Sequence, residues 1–506
     1  MKTPQECLTD LTVSVYQGDL DGYPDQGPFS PSQPYPEYPF QHLSDAHNGA
    51  YHAVREALAQ SGADRAHYGS PQWNPLGDVV RPGDHVVVNP NFVLSYHAKG
   101  GDLFSIITHP SVLRAVVDYV YLALKGKGRI TIADAPQMDC DFSELLKRTQ
   151  LETITELYRE AAEFPIDVLD LRNFWYDKRA TQESTHGSGA GFRHRLPGDP
   201  RGAVLVNLGK ESLFYGKDSQ EYYGADFDRE KTIRHHRGET HEYLVSKTVL
   251  SADVVVLVPK LKVHKKVGAT LNIKGLVGIN TDKNCLVHYT LGTPAAGGDQ
   301  FPDRLLTKRE ALRVKLQRWA YDVFLSRKTV WGDRLYRGAG RLGRWLLRPW
   351  GVKMPAEKTV LDCGNWYGND SAWRMSIDLF RLFLYADASG TIHSQPVRRV
   401  FSVVDGIVGG ENDGPLAPDG KSCGLIVAGS NLAAVDLACL QLMGLDFRHM
   451  KTYQHILAHP HLYRTAIGEI SVRNNNGYSN LFQRKDRLFD FKPHPGWVGH
   501  LEKQSS

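Results

Sequence analysis

Short apolar runs alternate with amphipathic stretches along most of the chain, the pattern expected of strands interleaved with helices. Strands are predicted over His85–Val88, Arg129–Ala133, Ile166–Leu171, Ala203–Leu208, Val254–Val258, Thr359–Leu361, Val400–Val404 and Leu425–Ala428. His109-Pro110 opens a predicted helix in which Leu113, Val116, Val117, Val120 and Leu124 follow helical spacing. Further helices are expected over Asn48–Gln60, Ser371–Tyr385 and Leu432–Met443, the last stopped by Gly444. Together these predict an α/β fold, a mostly parallel sheet with helices on both faces. The core is expected in two parts, residues 83–300 and 358–470, with a basic helical insertion over 301–357. Residues 1–82 read as a proline-rich arm, anchored by Tyr and Phe, with a leading helix, and 471–506 as a tail.

The densest chemistry follows the strand Val254–Val258. Pro259 donates no ladder hydrogen bond, so the central strand is expected to end there. Beyond it, Lys260, Lys262 and His264 recur at every second residue, with Leu261 and Val263 between them. In extended backbone the three nitrogen side chains share one face and the two aliphatics the other. Two ammonium groups and an imidazole beside a buried strand are costly without an anion. Either a ligand carboxylate or phosphate, or Asp405 and Asp413 of the chain itself, can supply it. Crowding of cations lowers a lysine pKa, and an imidazole titrates near neutrality, so Lys262, Lys274 and His264 are the candidate catalytic groups.

Ligands of open parallel sheets bind beyond the carboxyl ends of the strands. Residues expected there are Asn89, Asn91, Asp134 and Asn365; with Lys260 and Asn272 they are the candidate substrate contacts. Each taken singly also suits a helix cap or turn. Between Asp405 and Pro415, four glycines accompany Asp405, Glu411 and Asp413 in what reads as a loop. Three carboxylates can hold a divalent metal through oxygen ligands, or neutralise the lysine row. His235, His236 and His241 in RHHRGETHEY offer zinc ligands without diagnostic spacing, and Arg234 and Arg237 there suit an anion equally.

Composition removes several function classes. A net charge of +4 over 506 residues gives no argument for nucleic-acid binding. Six scattered cysteines contain no CxxC pair, which leaves no iron–sulfur spacing or disulfide framework and points to a reducing, cytoplasmic setting. GSGAGF at 187–192 lacks the third glycine and a preceding strand, and no P-loop occurs, so neither an NAD nor an ATP motif is present. Residues 308–353 hold thirteen Lys or Arg against three acidic residues, with four tryptophans. Leu312, Leu316, Trp319, Ala320 and Val323 share a helical face there, which suits an anionic membrane surface or packing on the protein's own core.

VPKLKVHKKVGATLNIKGLVGI resembles the core signature of the domain of unknown function 362 family. VVDGIVGGENDGPL, with LIVAGSNLAAVDLACLQLMGLD, is similar to that family's C-terminal signature. The resemblance covers about residues 83–300 and 358–450. It implies an uncharacterised α/β protein of a type often found among bacterial exopolysaccharide genes, and the appended iron–sulfur module of some members is absent here. A more distant likeness, to the N-terminal domain of lactate-racemase-like proteins, places Lys262, His264, Gly268 and Lys274 at substrate- and cofactor-site positions. The expected function is therefore proton-transfer or isomerase-type chemistry on a small anionic metabolite or acidic sugar, in a polysaccharide-related pathway. The alternative is a non-catalytic, membrane-peripheral factor that binds a glycan or lipid-linked precursor.

Overall fold

The computed structural model describes residues 1–20, 22–177, 193–217, 219–226, 228–305 and 360–503, plus scattered positions between 312 and 335. The GSGAGF run and most of the 308–353 segment lie outside the described residues. One large sheet organises the fold. Its strands are β1 (Thr12–Gln17), β2 (His85–Pro90), β3 (Arg129–Asp134), β4 (Ile166–Asp170) and β5 (Val254–Val258). They continue with β6 (Lys260–His264), β7 (Arg399–Glu411), β8 (Asp419–Gly429) and β9 (Ser471–Asn474). Across the sheet the order is β9-β1-β8-β7-β5-β2-β3-β4.

From β7 to β4 all neighbours run parallel, with Val256 level with Phe401 on one side and Val88 on the other. β8 is antiparallel to both β7 and β1, which makes the sheet mixed. All five residues of β5 are buried, so side chains pointing to either face are covered. The helices Pro110–Leu124, Ala372–Tyr385 and Leu432–Met443 form where helical spacing predicted them. Proline at the first turn opens the first helix, and left-handed Gly444 closes the last. This is an α/β fold.

The arrangement bears out one local expectation and corrects others. The central strand ends at Val258, as Pro259 leads one to expect; the Pro259 carbonyl accepts the Asp405 N–H at 2.9 Å, and β6 resumes beside the same long neighbour, β7. A register shift between Lys260 and Lys262 absorbs the missing donor. The expected glycine-rich loop is strand through Glu411, because a side chain at Gly410 would lie 2.5 Å from the Ser105 carbonyl oxygen. Ala203–Asn207 joins a separate small sheet, and Val360 and Leu361 are helical; an apolar pair is too short to hold a strand register. Finally, the expected arm and tail supply two neighbouring strands of the main sheet, β1 and the edge strand β9.

Candidate functional site

The lysine row divides between two environments. Lys260 is fully buried and donates to Asp405 at 3.0 Å and to the Tyr23 hydroxyl at 2.6 Å. Asp405 also accepts from the Tyr23 hydroxyl at 2.6 Å and from the His109 N–H at 2.9 Å. Burial alone would push the Lys260 pKa down, and the Asp405 carboxylate opposes that. The pair is closed upon itself and clamps the tyrosine of the proline-rich arm. Lys262 donates to the Ile106 carbonyl, and burial together with Lys260 holds its pKa well below normal. Neither lysine lines the neighbouring cavity.

The row's third member does line it. A cavity of about 310 Å³ is bounded by His264, Lys265, Lys266, Thr270, Lys274, Lys283, His288, Tyr289, Asn91, Asp134, Asp226 and Cys363, among others. Its wall is built by a tight turn after β6. Gly268, at φ +89°, pairs back onto His264, and the Thr270 N–H reaches the Lys262 carbonyl at 2.9 Å. The short helix Leu271–Gly275 then presents Lys274. Asn272 fixes that helix through Asp436, at 2.8 Å from its side chain and 2.9 Å from its N–H, and accepts from Ser402 at 2.8 Å. It is a structural lock, not a ligand contact.

Four lysines face the cavity in unlike ways. Lys283 donates to the carbonyls of Ala135 and Val277 at 2.6 and 2.8 Å, and Lys266 donates to the Cys363 carbonyl. Lys265 is half-buried. Lys274 is 7 % exposed and, among the described residues, has neither a hydrogen-bond acceptor nor a carboxylate partner. Burial first, then Lys283 and Lys266, push its pKa down to about 7. Burial takes Lys266 and Lys283 down to about 8 and Asp134 up to about 6, with Lys283 and Asp134 opposing each other's shift. Asp134 can lie this close because Gly278 has no Cβ, which would fall 1.9 Å from its carboxylate. Two buried acceptor-capable atoms of the wall, the Thr270 hydroxyl and Asn91 Oδ1, also lack partners among the described residues.

The two histidines are set in opposite tautomers. His264 Nδ1 receives the Lys266 N–H at 3.0 Å, so its lone pair is used and the ring proton sits on Nε2. His288 Nδ1 lies 3.0 Å from the Leu286 carbonyl, which only accepts, so Nδ1 carries the proton and Nε2 keeps a lone pair. Burial first, and then Lys274, hold both rings well below the usual imidazole pKa. One neutral donor and one neutral acceptor therefore border the same space.

Asn91, Asp134, His264 and Lys274 are thus gathered as expected, and the remaining candidates are not. Asn89 does not line the cavity but donates to the Ala133 carbonyl at 2.6 Å and to Asp134 of its wall at 3.4 Å, and Asn365 donates to the Val360 carbonyl at 3.4 Å, away from the wall. The carboxylates do not converge: Asp405 pairs with Lys260, Glu411 with Lys421 at 3.0 Å and Asp413 with Lys99 at 2.8 Å. Among the described residues no three His, Cys, Asp or Glu side chains gather to hold a metal, which corrects both the carboxylate and the histidine proposals. His235 instead meets Glu242 at 3.0 Å, and His236 Nε2–H donates to the Cys285 carbonyl at 2.8 Å within the core. Sequence reasoning missed Lys266 and Lys283 and gave His288 no role. Lys266 was legible as the next alternate position of the row; Lys283 had no signal.

Residues 197–441 match the family model described as domain of unknown function, DUF362. This segment, just under half of the chain, is similar to the DUF362 family. No curated protein and no solved structure matches it. The DUF362 segment supplies Lys266, Lys274, Lys283 and both histidines, whereas Asn91 and Asp134 come from strand ends outside it.

Proposed function

We propose that this protein is an enzyme that binds a small anionic metabolite in the lysine-lined cavity and moves a proton on it. The observation that carries the proposal is Lys274, a buried amine beside Lys266 and Lys283 with no carboxylate partner among the described residues. Such a group is unfavourable in the empty protein and becomes favourable once a carboxylate enters. His264 Nε2–H then donates to a ligand oxygen, while His288 Nε2 is placed as the base. A cavity of about 310 Å³ admits a compact organic acid or a single acidic sugar. The test is a thermal-shift screen with lactate, pyruvate and glucuronate against chloride. Stabilisation by one of the acids, lost in Lys274→Met, is expected; no response to any carboxylate beyond that to chloride would remove the proposal.

A second reading, a membrane-peripheral factor, is favoured by a different observation. Leu312, Leu316, Trp319 and Val323 share helical spacing and are 61, 58, 62 and 50 % exposed. Flotation with phosphatidylserine vesicles tests it, and co-sedimentation lost on Trp319→Glu is the supporting outcome.

A further inference from the structure

We propose that Lys274 is a covalent nucleophile, which captures the carbonyl carbon of a small 2-oxo acid as an imine. This deepens the function proposed above and rests on it. The four cavity lysines are not equivalent. Lys266 and Lys283 are tied to backbone carbonyls, and Lys265 is half-buried. Lys274 alone combines burial with a free nitrogen, on a helix locked by Asn272 and Asp436. An amine attacks only through its unprotonated lone pair, and a buried site crowded by Lys266 and Lys283 favours that form.

The surrounding groups suit each bond change. The Lys274 Nζ lone pair forms the C–N bond while the carbonyl π pair moves to oxygen, giving a carbinolamine after a proton passes from nitrogen to oxygen. His264 Nε2–H faces the same space and hydrogen-bonds to that oxygen, which takes up one proton from solvent and leaves as water when the nitrogen pair closes the C=N bond, so iminium formation consumes one proton. The iminium restores the positive charge that Lys274 would otherwise present, so the ligand carboxylate keeps a cation beside it, with Lys266 as a second. His288 Nε2 then takes a proton from the carbon next to the iminium, and the C–H electrons form an enamine. Return of that proton from His288 reverses the step. No electrons are gained or lost overall, and no co-reactant is needed.

This chemistry makes two separable events, capture and proton exchange. The full-length protein is incubated with pyruvate or glyoxylate and cyanoborohydride, then digested and mapped by mass spectrometry. One reduced adduct on the Lys274 peptide is expected, absent in Lys274→Arg. In heavy water without reductant, the pyruvate methyl signal should lose intensity by NMR. His288→Asn should keep the adduct and slow that exchange at least tenfold. An adduct on Lys265, Lys266 or Lys283 instead, or none with either acid, overturns the inference. If the same acid still stabilises the protein in a Lys274-dependent way without an adduct, the anion site survives and only the covalent step falls. Absence of both stabilisation and adduct sinks both.

Discussion

At the residue scale the decisive contrast is between Lys260 and Lys274, two buried lysines with opposite histories of compensation. Lys260 has Asp405 at 3.0 Å and a tyrosine hydroxyl at 2.6 Å, so its charge is answered within the fold. Lys274 has no carboxylate partner among the described residues, and burial with the nearby Lys283 and Lys266 takes its pKa down to about 7. At about pH 8 it is therefore mostly neutral before a ligand binds, against an unperturbed lysine near 10.4. An incoming carboxylate raises that value, and an iminium likewise adds a positive charge to nitrogen. Binding at pH 8 should then take up a proton, approaching one per ligand. Calorimetry in two buffers of different ionisation enthalpy measures it. Lys274→Met should abolish the uptake, and an uptake unchanged by that substitution would assign the proton to another group.

At the scale of elements, the ribbon β5–β6 does two jobs on either side of Pro259. Its first half is core; its second half carries the cations, and β7 accompanies both. The alternation of Lys260, Lys262 and His264 was legible in the sequence, as were the helices and the parallel strands, because spacing alone determines which residues share a face. What spacing does not encode is the partner beyond the strand. Tyr23 and Asp405 come from segments 237 and 145 residues away, and they turn an apparent ligand clamp into a closed ion pair. The glycines of β7 misled for a related reason: Gly406, Gly409 and Gly410 make room for neighbouring Leu261, Phe491 and the Ser105 backbone rather than for a turn. Replacing Lys260 by Met strands the Asp405 carboxylate in the core and should cost about 3–5 kcal/mol of unfolding free energy. Lys260→Met with Asp405→Leu should recover much of that loss, since removing both charges removes the desolvation penalty. Urea titration of the three proteins decides the matter, and equal stability of the single and double variants would count against a mutually compensating pair.

At the scale of the whole molecule, the cavity draws Asn91 and Asp134 from the carboxyl ends of β2 and β3, the cations from the turn after β6, and Cys363 from beyond the 308–353 segment. A site assembled from so many parts has to hold its charges apart by fold energy, and that cost is visible in how stability depends on pH. Lys274, Lys266 and Lys283 stand at about 7, 8 and 8 in the folded protein, and all return to near 10.4 on unfolding. Between those values the unfolded chain binds more protons than the folded one, so the contribution of these lysines to stability rises with pH and is lost as pH falls toward 7. Below about pH 7 both states hold Lys274 protonated and its penalty is constant, roughly 5 kcal/mol at 1.36 kcal/mol per unit. Other groups titrate across the same range, so the informative quantity is the difference between the parent and Lys274→Met. That variant should be the more stable protein at pH 7, and its advantage should shrink steadily toward pH 10, where the parent lysine is neutral in both states to a growing extent. Saturating carboxylate should shrink the same advantage at pH 7, because the ligand supplies the missing negative charge. A difference that stays flat from pH 7 to pH 10 would mean that Lys274 is charged and solvated in the folded protein, and the electrostatic basis of the site would be lost with it.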